Sequence, residues 1–499
     1  MAILDAVATS AAGALFATAG VLVGGIVTRK AQDRQWLRDK QLAAYDELLA
    51  HYARFTMVLK RAHADQRGWD YDWAGWSAAL VSNSGTWMQT VTVPYVLYHL
   101  TDNSSTWLGL AAFMQFFPAL VVGPLAGTLA DRVERRRVLI VTQTVQMVVA
   151  FSLWGFWVSG QATPGIILAH LLVAGVASGI NIASWQSFVP LLVPQEDMLN
   201  AVRLNSMQFT GARAFGPALG GLVLGRFGPS TAFMVNAVTF LLVIGVLFMV
   251  NPRPHALVSG ATLRQHFFEG VAYIRRRSGL ILAIVTVTVV AFFGSSLIQL
   301  APAFATSQFK VGAGAYGLLV TAFGTGAIVG AVLMSVLGER VRRSRMALAG
   351  TLILSLASLG LGLATRYAVG VAAVGVMGVA YMLVAVSLNT AVQAGVSEPY
   401  RGRVLSIYLM GLLAGLPIGA LVEGRLGDVI GLRPTVVASA VALFAYVVLA
   451  VVSFHRLRAI DRDLIGDDAD AIDDTAEAAP AAQTAAAAAV YAPSMPRRP

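Results

Sequence analysis

Apolar stretches long enough to cross a membrane recur along most of this chain, and that recurrence decides its fold class. Spanning hydrocarbon takes about 20 apolar residues in a helix, because every backbone polar group must be satisfied inside the segment. Twelve such segments can be read, at about 74–98, 106–130, 138–159, 164–189, 201–225, 230–250, 280–304, 313–337, 346–365, 368–393, 402–424 and 434–455. The composition agrees: 12% of the 499 residues are charged, against about 25% in a soluble domain. The alternating segments of roughly ten residues that build a membrane β-barrel are not visible. The expected class is an all-α polytopic membrane protein.

Charge then sets orientation and removes other functions. The net charge of +10 does not require nucleic acid, because the arginines sit in short loops between spans, the positive-inside pattern. With both ends of the twelve-span body inside, the inner loops hold sixteen arginines and the outer loops five Lys or Arg. The chain has no cysteine, so it has no disulfide, thiol nucleophile or thiolate metal site. It carries no P-loop and no metal-ligand cluster. The glycines of Gly324-Thr-Gly326 and Gly330 lie inside a span and follow no strand, so they do not read as a dinucleotide loop. Neither an enzyme nor a cofactor is expected.

The organisation reads as five parts. Residues 1–70 hold an extra apolar helix, about Ala6 to Val27, whose basic flank follows it. A charged amphipathic helix over 30–66 comes next, which reads as a surface helix, as a docking site for a cytoplasmic partner, or as part of a mis-called start or fused gene fragment. Residues 71–250 form a first six-helix bundle and 280–457 a second. Residues 251–279 form a cytoplasmic linker with an amphipathic helix near Leu263–Arg277. Residues 458–499 form a tail whose Asp/Ala/Pro-rich composition reads as disordered.

One short basic loop occurs twice between spans. The first copy is Gly127-Thr-Leu-Ala-Asp131-Arg132-Val-Glu-Arg135-Arg136-Arg137, and the second runs from Ser335 through Glu339, Arg340, Arg342, Arg343 and Arg345. The acids are 208 residues apart. Twelve spans and a loop repeated at the half-chain point imply two similar bundles with a path between them. A topogenic basic loop explains the arginines but not Asp131 and Glu339. The loop resembles the major facilitator superfamily signature between spans 2 and 3, matched at Gly127, Leu129, Asp131, Arg132, Arg135 and Arg136, with Glu134 where that family usually has Gly. The resemblance covers roughly residues 74–455. It implies two six-helix bundles related by a pseudo-two-fold axis, and a latch in which Asp131 meets the start of span 11 at Arg401-Gly402-Arg403.

Span 5 carries Gly211-Ala-Arg213-Ala-Phe-Gly216-Pro217-Ala-Leu-Gly220-Gly221, with a weaker echo at Gly415-Leu-Pro417-Ile-Gly419 in span 11. G-P-x-x-G-G resembles the superfamily's exporter-associated motif, and ordinary small-residue packing is the plain alternative. The stretches around Trp185–Asn205 and Leu80–Thr90 are similar to the branch of enterobactin exporters and macrolide-efflux permeases.

Intramembrane polar residues give the pathway candidates. Arg213 is a cation near the middle of a span, where charge costs at least about 3 kcal/mol. It reads either as structural glue or as a contact for an anionic substrate. Glu423 reads as a proton carrier or as a surface acid. Asn83, Gln89, Gln115, Asn181, Gln208, Gln299 and Asn389 complete the set, and His170 is expected to be hydrogen-bonded rather than titrating. The resemblance implies proton-driven efflux of an amphiphilic small molecule (drug or siderophore class) across a bacterial inner membrane by alternating access, with the C-terminus cytoplasmic. An importer of the same fold and a transport-dead scaffold are the alternatives.

Overall fold

The computed structural model describes residues 70–192, 198–249, 263–337 and 341–452. The expected N-terminal helices, the tail, Glu339 and Arg340 lie outside them. Among the described residues there is no strand, and the helices fall where hydropathy placed the spans. They are α1 (Asp70–Leu100), α2 (Ser105–Arg132), α3 (Arg135–Val158) and α4 (Pro164–Phe188). A continuous stretch Met198–Met249 turns at Gly228 into α5 (198–227) and α6 (229–249). The second half holds α7 (278–308), α8 (Ala313–Leu337), α9 (Arg343–Leu363), α10 (Tyr367–Gly395), α11 (Glu398–Val429) and α12 (Leu432–Val452). The expected linker helix is present as Leu263–Arg275.

Local chemistry explains the joints. Gly228 takes φ 80° and ψ 174°, a conformation only glycine adopts cheaply. Together with Pro229, it reverses the chain without a loop. Asp102 and Asn103, at φ 50° and 64°, make the short α1–α2 turn, and their side-chain types tolerate that region. Thr163 caps α4 by accepting from the Ile166 N–H, with Pro164 at the first helical position. α7 is the irregular span. It is α-helical over Ser278–Phe293, then passes through a 3₁₀ stretch at Ser295–Leu300 and a π turn at Phe304–Gln308.

Equivalent contacts recur in the two halves. A Cβ at Gly216 or Gly220 of α5 would collide with Trp87 or Met88 of α1; a Cβ at Gly415 or Gly419 of α11 would collide with Ala291 or Phe292 of α7. Thus the span-5 motif and its span-11 echo do the same job, letting backbones approach where a side chain would not fit. Gly175 of α4 sits against the Gln115 carbonyl of α2, and Gly378 of α10 against the Phe323 carbonyl of α8. Gln115 and Phe323 are 208 residues apart, the same offset as Asp131 and Glu339. The Arg135 Nη1 donates to the Ser187 carbonyl at 2.9 Å, and the Arg343 Nη1 to the Thr390 carbonyl at 3.2 Å. The repeat seen in one loop therefore extends through the packing of both bundles. The bundles meet chiefly through α2 on α11 and α5 on α8.

Candidate functional site

The two halves are sealed at the end away from the arginine-rich loops. Tyr316 of α8 donates to the Val91 carbonyl of α1 at 3.1 Å and stacks on Tyr95, ring centroids 5.5 Å apart. Tyr98 of α1 and Ser307 of α7 share a hydrogen bond of 2.8 Å. Gly221 of α5 lies so close to Gly317 of α8 that a Cβ would come within 2.5 Å of the facing Cα. Gly424 and Gly427 of α11 bring their backbone against Ser105 of α2. All of these contacts lie in the arginine-poor half of the spans. A Cβ at Gly123, Gly211 or Gly402, in the arginine-rich half, would meet nothing within 4 Å.

Asp428 closes this seal. Its carboxylate accepts from the Ser105 N–H at 2.6 Å, the Thr106 N–H at 3.0 Å, and the Ser104 and Thr106 hydroxyls at 2.5 and 2.6 Å. These N–H groups belong to the first turn of α2, which has no intrahelical acceptors for them and carries the positive end of the dipole. At the C-terminus of its own helix a carboxylate is unfavourable, so the favourable interaction of Asp428 is with the other half. Asp428→Asn keeps the shape and removes the charge, which lowers the sealed population by roughly tenfold. With no native cysteine, nitroxide labels at Gln161 and Arg366, exposed on opposite halves at this end, read the shift as a longer interlabel distance. An unchanged distance distribution rejects a latch role for Asp428.

Below the seal, side chains from both halves converge near mid-span. The half-buried Arg213 of α5 places its guanidinium carbon 5.6 Å from the centroid of the Trp87 ring of α1, within cation–π range. Tyr381 of α10, from the other half, lies beside the same guanidinium and packs on Phe323 of α8 with ring centroids 5.8 Å apart. Asn83 is one helical turn from Trp87, toward the arginine-rich end. Glu423 is elsewhere, enclosed among α7, α11 and α12 and 1% exposed. Ser439 of α12 donates to its Oε1 at 2.8 Å, Ser296 of α7 lies beside it, and its Oε2 is buried without a hydrogen-bond partner.

At the arginine-rich end, Arg135 and Arg136 bind carbonyls at helix C-termini. Arg135 reaches Ser187 on α4, and Arg136 reaches Leu247 and Phe248 on α6 at 2.6 and 2.7 Å. Cations belong at that end of a helix dipole, so both arginines pin the loop within its own bundle. Arg403 forms an ion pair of 2.5 Å with Glu269 of the linker helix and lies over Tyr400. The backbone of Gly127, Asp131 and Arg132 belongs to α2.

A family model described as a transmembrane secretion effector matches residues 73–478. The chain belongs to this branch of the major facilitator superfamily. The multidrug efflux pump Tap of Mycobacterium tuberculosis is 26% identical over 403 residues, covering 77% of this chain and 93% of that one. The staphyloferrin A transporter of Staphylococcus aureus is 20% identical, covering 70% of this chain and 88% of its own length. Among solved structures, an inward-facing bacterial homologue of the human lysosomal transporter Spinster matches with a TM-score of 0.63. It shares 17% identity and covers 79% of this chain and 98% of that one. The D-xylose-proton symporter matches with a TM-score of 0.58 at 13% identity, covering 75% and 97%. These likenesses establish the fold.

The remaining polar positions of the transporter separate into tied and free groups. Asn236 of α6 donates to Gln89 at 2.5 Å, Gln115 to Thr90 at 3.4 Å, and Thr142 and Gln143 of α3 to Asn181 at 3.1 and 3.4 Å. These pairs join helices of one bundle. Asn389 accepts from Gln393 one turn along α10 at 2.5 Å. His170 is held by the Ile166 carbonyl and Ser152, as its sequence setting led one to expect. Gln208 is buried with its Nε2 unpartnered, and Gln299 is half-buried in the 3₁₀ part of α7. Asp428, Asn236 and Ser439 were not singled out in the sequence. The one available signal was the Gly-Asp pair closing span 11, a counterpart of the acid closing span 2.

Proposed function

We propose that this transporter exports an amphiphilic small molecule across a bacterial inner membrane, driven by the proton gradient, through alternating access of a central site. The observation that carries the reading is the one-sided seal. The halves are locked at the arginine-poor end by Asp428, Tyr316 and the Gly221–Gly317 contact, while among the described residues a Cβ at Gly211 or Gly402, toward the other end, would meet nothing within 4 Å. With arginine-rich loops inside, this is a cytoplasm-facing state of an alternating-access cycle, in which an exporter loads and an importer unloads, so the choice of export rests on the relatives. The named relatives, a multidrug efflux pump and a staphyloferrin A transporter, support export of an amphiphilic small molecule.

The reverse state needs a latch at the other end. Asp131 closes α2 as Asp428 closes α11. In the outward-open state Asp131 would then cap the start of α11 near Arg401–Arg403, while Glu339 with Arg340 would occupy the equivalent place in the second half. Glu423, the buried carboxylate among the described residues, is the proton carrier of this scheme. Inverted membrane vesicles test direction: on acidification of the lumen they take up a lipophilic dye against its gradient. Uptake in right-side-out vesicles instead, driven by an inward proton gradient, would reverse the assignment to import.

A further inference from the structure

Deepening that reading, we propose that Trp87, Arg213 and Tyr381 form the recognition site for an anionic group on the cargo, a carboxylate or phosphate attached to a planar apolar body. Arg213 stands near the middle of a span, where an uncompensated cation is expensive. A purely structural arginine would be neutralised by a carboxylate or by helix carbonyls, as Arg135, Arg136, Arg343 and Arg403 are. Among the described residues Arg213 has neither. Its neighbours are the Trp87 ring and the Tyr381 hydroxyl, one from each half.

The surroundings fit a ligand of this chemistry. A planar guanidinium presents a fork of donors that matches a carboxylate or phosphate. Trp87 and the Tyr381–Phe323 pair offer ring faces to an apolar body beside that anion. The α1 face that reaches the opposite half at Val91 and Tyr95 carries Trp87 one turn below and Asn83 a turn below that. The site thus lies under the seal, on surfaces that separate in transport. An anion held by Arg213 and Tyr381 together touches both halves, so its arrival and departure are coupled to their rearrangement.

The test compares rhodamine B, which carries a free carboxylate, with its ethyl ester, which lacks that negative charge. Binding to the purified full chain in lipid-free maltoside detergent is read by fluorescence anisotropy. The wild type is expected to bind the acid at least about tenfold more tightly than the ester, the scale of a charge-assisted contact. Arg213→Gln removes that preference by bringing the acid's affinity down to that of the ester or below it, and Arg213→Lys retains part of it. Equal affinities in the wild type, or an equal loss for both dyes in Arg213→Gln, overturns the proposal. Unchanged helical circular dichroism and a monodisperse size-exclusion peak show that the glutamine variant is folded. Added phosphatidylglycerol that displaces the acid from the wild type but not from Arg213→Gln would make the anion a lipid headgroup and overturn the cargo assignment. Flux of the ester in vesicles is scored separately. Export without an acid preference defeats this inference alone, and an acid preference without any flux defeats the transport reading alone.

Discussion

Glu423→Gln yields a transporter that exchanges cargo across the membrane but no longer concentrates it. The carboxyl is 1% exposed, one oxygen is held by Ser439, and no positive charge among the described residues lies beside it. A bare carboxylate enclosed in such a place costs several kcal/mol. A negative charge at Glu423 and the closed packing of α7, α11 and α12 are therefore difficult to sustain together. Releasing the proton favours parting of those helices or entry of water, which is the linkage a proton-driven carrier needs. Glutamine keeps the size and can still accept from Ser439, but it has no proton to release. Uphill uptake into energised vesicles is expected to fall to background, a loss of at least about a hundredfold, equivalent to roughly 2.7 kcal/mol. Counterflow down the cargo gradient should stay within about twofold of wild type, because the scaffold is intact. Uphill transport retained in Glu423→Gln would remove Glu423 from the coupling mechanism.

The architecture was legible because hydrophobicity is a property of segments, and segment-length signals survive without tertiary information. Span positions agree within a few residues, and the largest departures have local causes. α11 runs to Val429, beyond the expected 424, because its last turn faces α2 rather than water and uses Gly424, Gly427 and Asp428 to do so. The gap expected between spans 5 and 6 shrinks to a turn at Gly228. The candidate site was less legible. Arg213 announces itself as a charge in an apolar helix, but the sequence left open whether it pairs with a carboxylate or faces the pathway. Its neighbours Trp87 and Tyr381 are brought to it only by the packing of α1 and α10. Gln89 and Asn181 read equally as pathway residues, and only the packing shows that Asn236 and Thr142 bond to them from other helices. Glu423 reads as readily as a surface acid, and its enclosure beside Ser296 and Ser439 is visible only in the packing.

A tryptophan at Gly221 drives the transporter out of its sealed state. A Cβ at this position stands 2.5 Å from the Cα of Gly317 and 3.1 Å from the Ala313 carbonyl oxygen. Both are backbone atoms on the opposing half, so no rotamer change makes room. Overpacking by single methylenes already costs about 1–3 kcal/mol in a rigid core, and an indole set against helix backbone exceeds that. The two halves are joined as separate bundles, so the strain is relieved by parting α5 from α8 at the arginine-poor end rather than by unfolding. A penalty above about 3 kcal/mol moves a two-state equilibrium by more than a hundredfold, which converts a mostly sealed population into one mostly open at that end. The interlabel distance between Gln161 and Arg366 should lengthen by several ångströms, with the helical circular dichroism unchanged, and net flux should collapse because the sealed state is no longer visited. Gly211→Trp is the matched control. It lies on the same helix and in the same motif, but a Cβ there meets nothing within 4 Å, so it should leave the distance distribution where it was. If Gly221→Trp folds and the distance stays put, the Gly221–Gly317 contact is not part of the gate. If both tryptophans lengthen the distance alike, the effect comes from bulk anywhere on α5 and not from the seal between the halves.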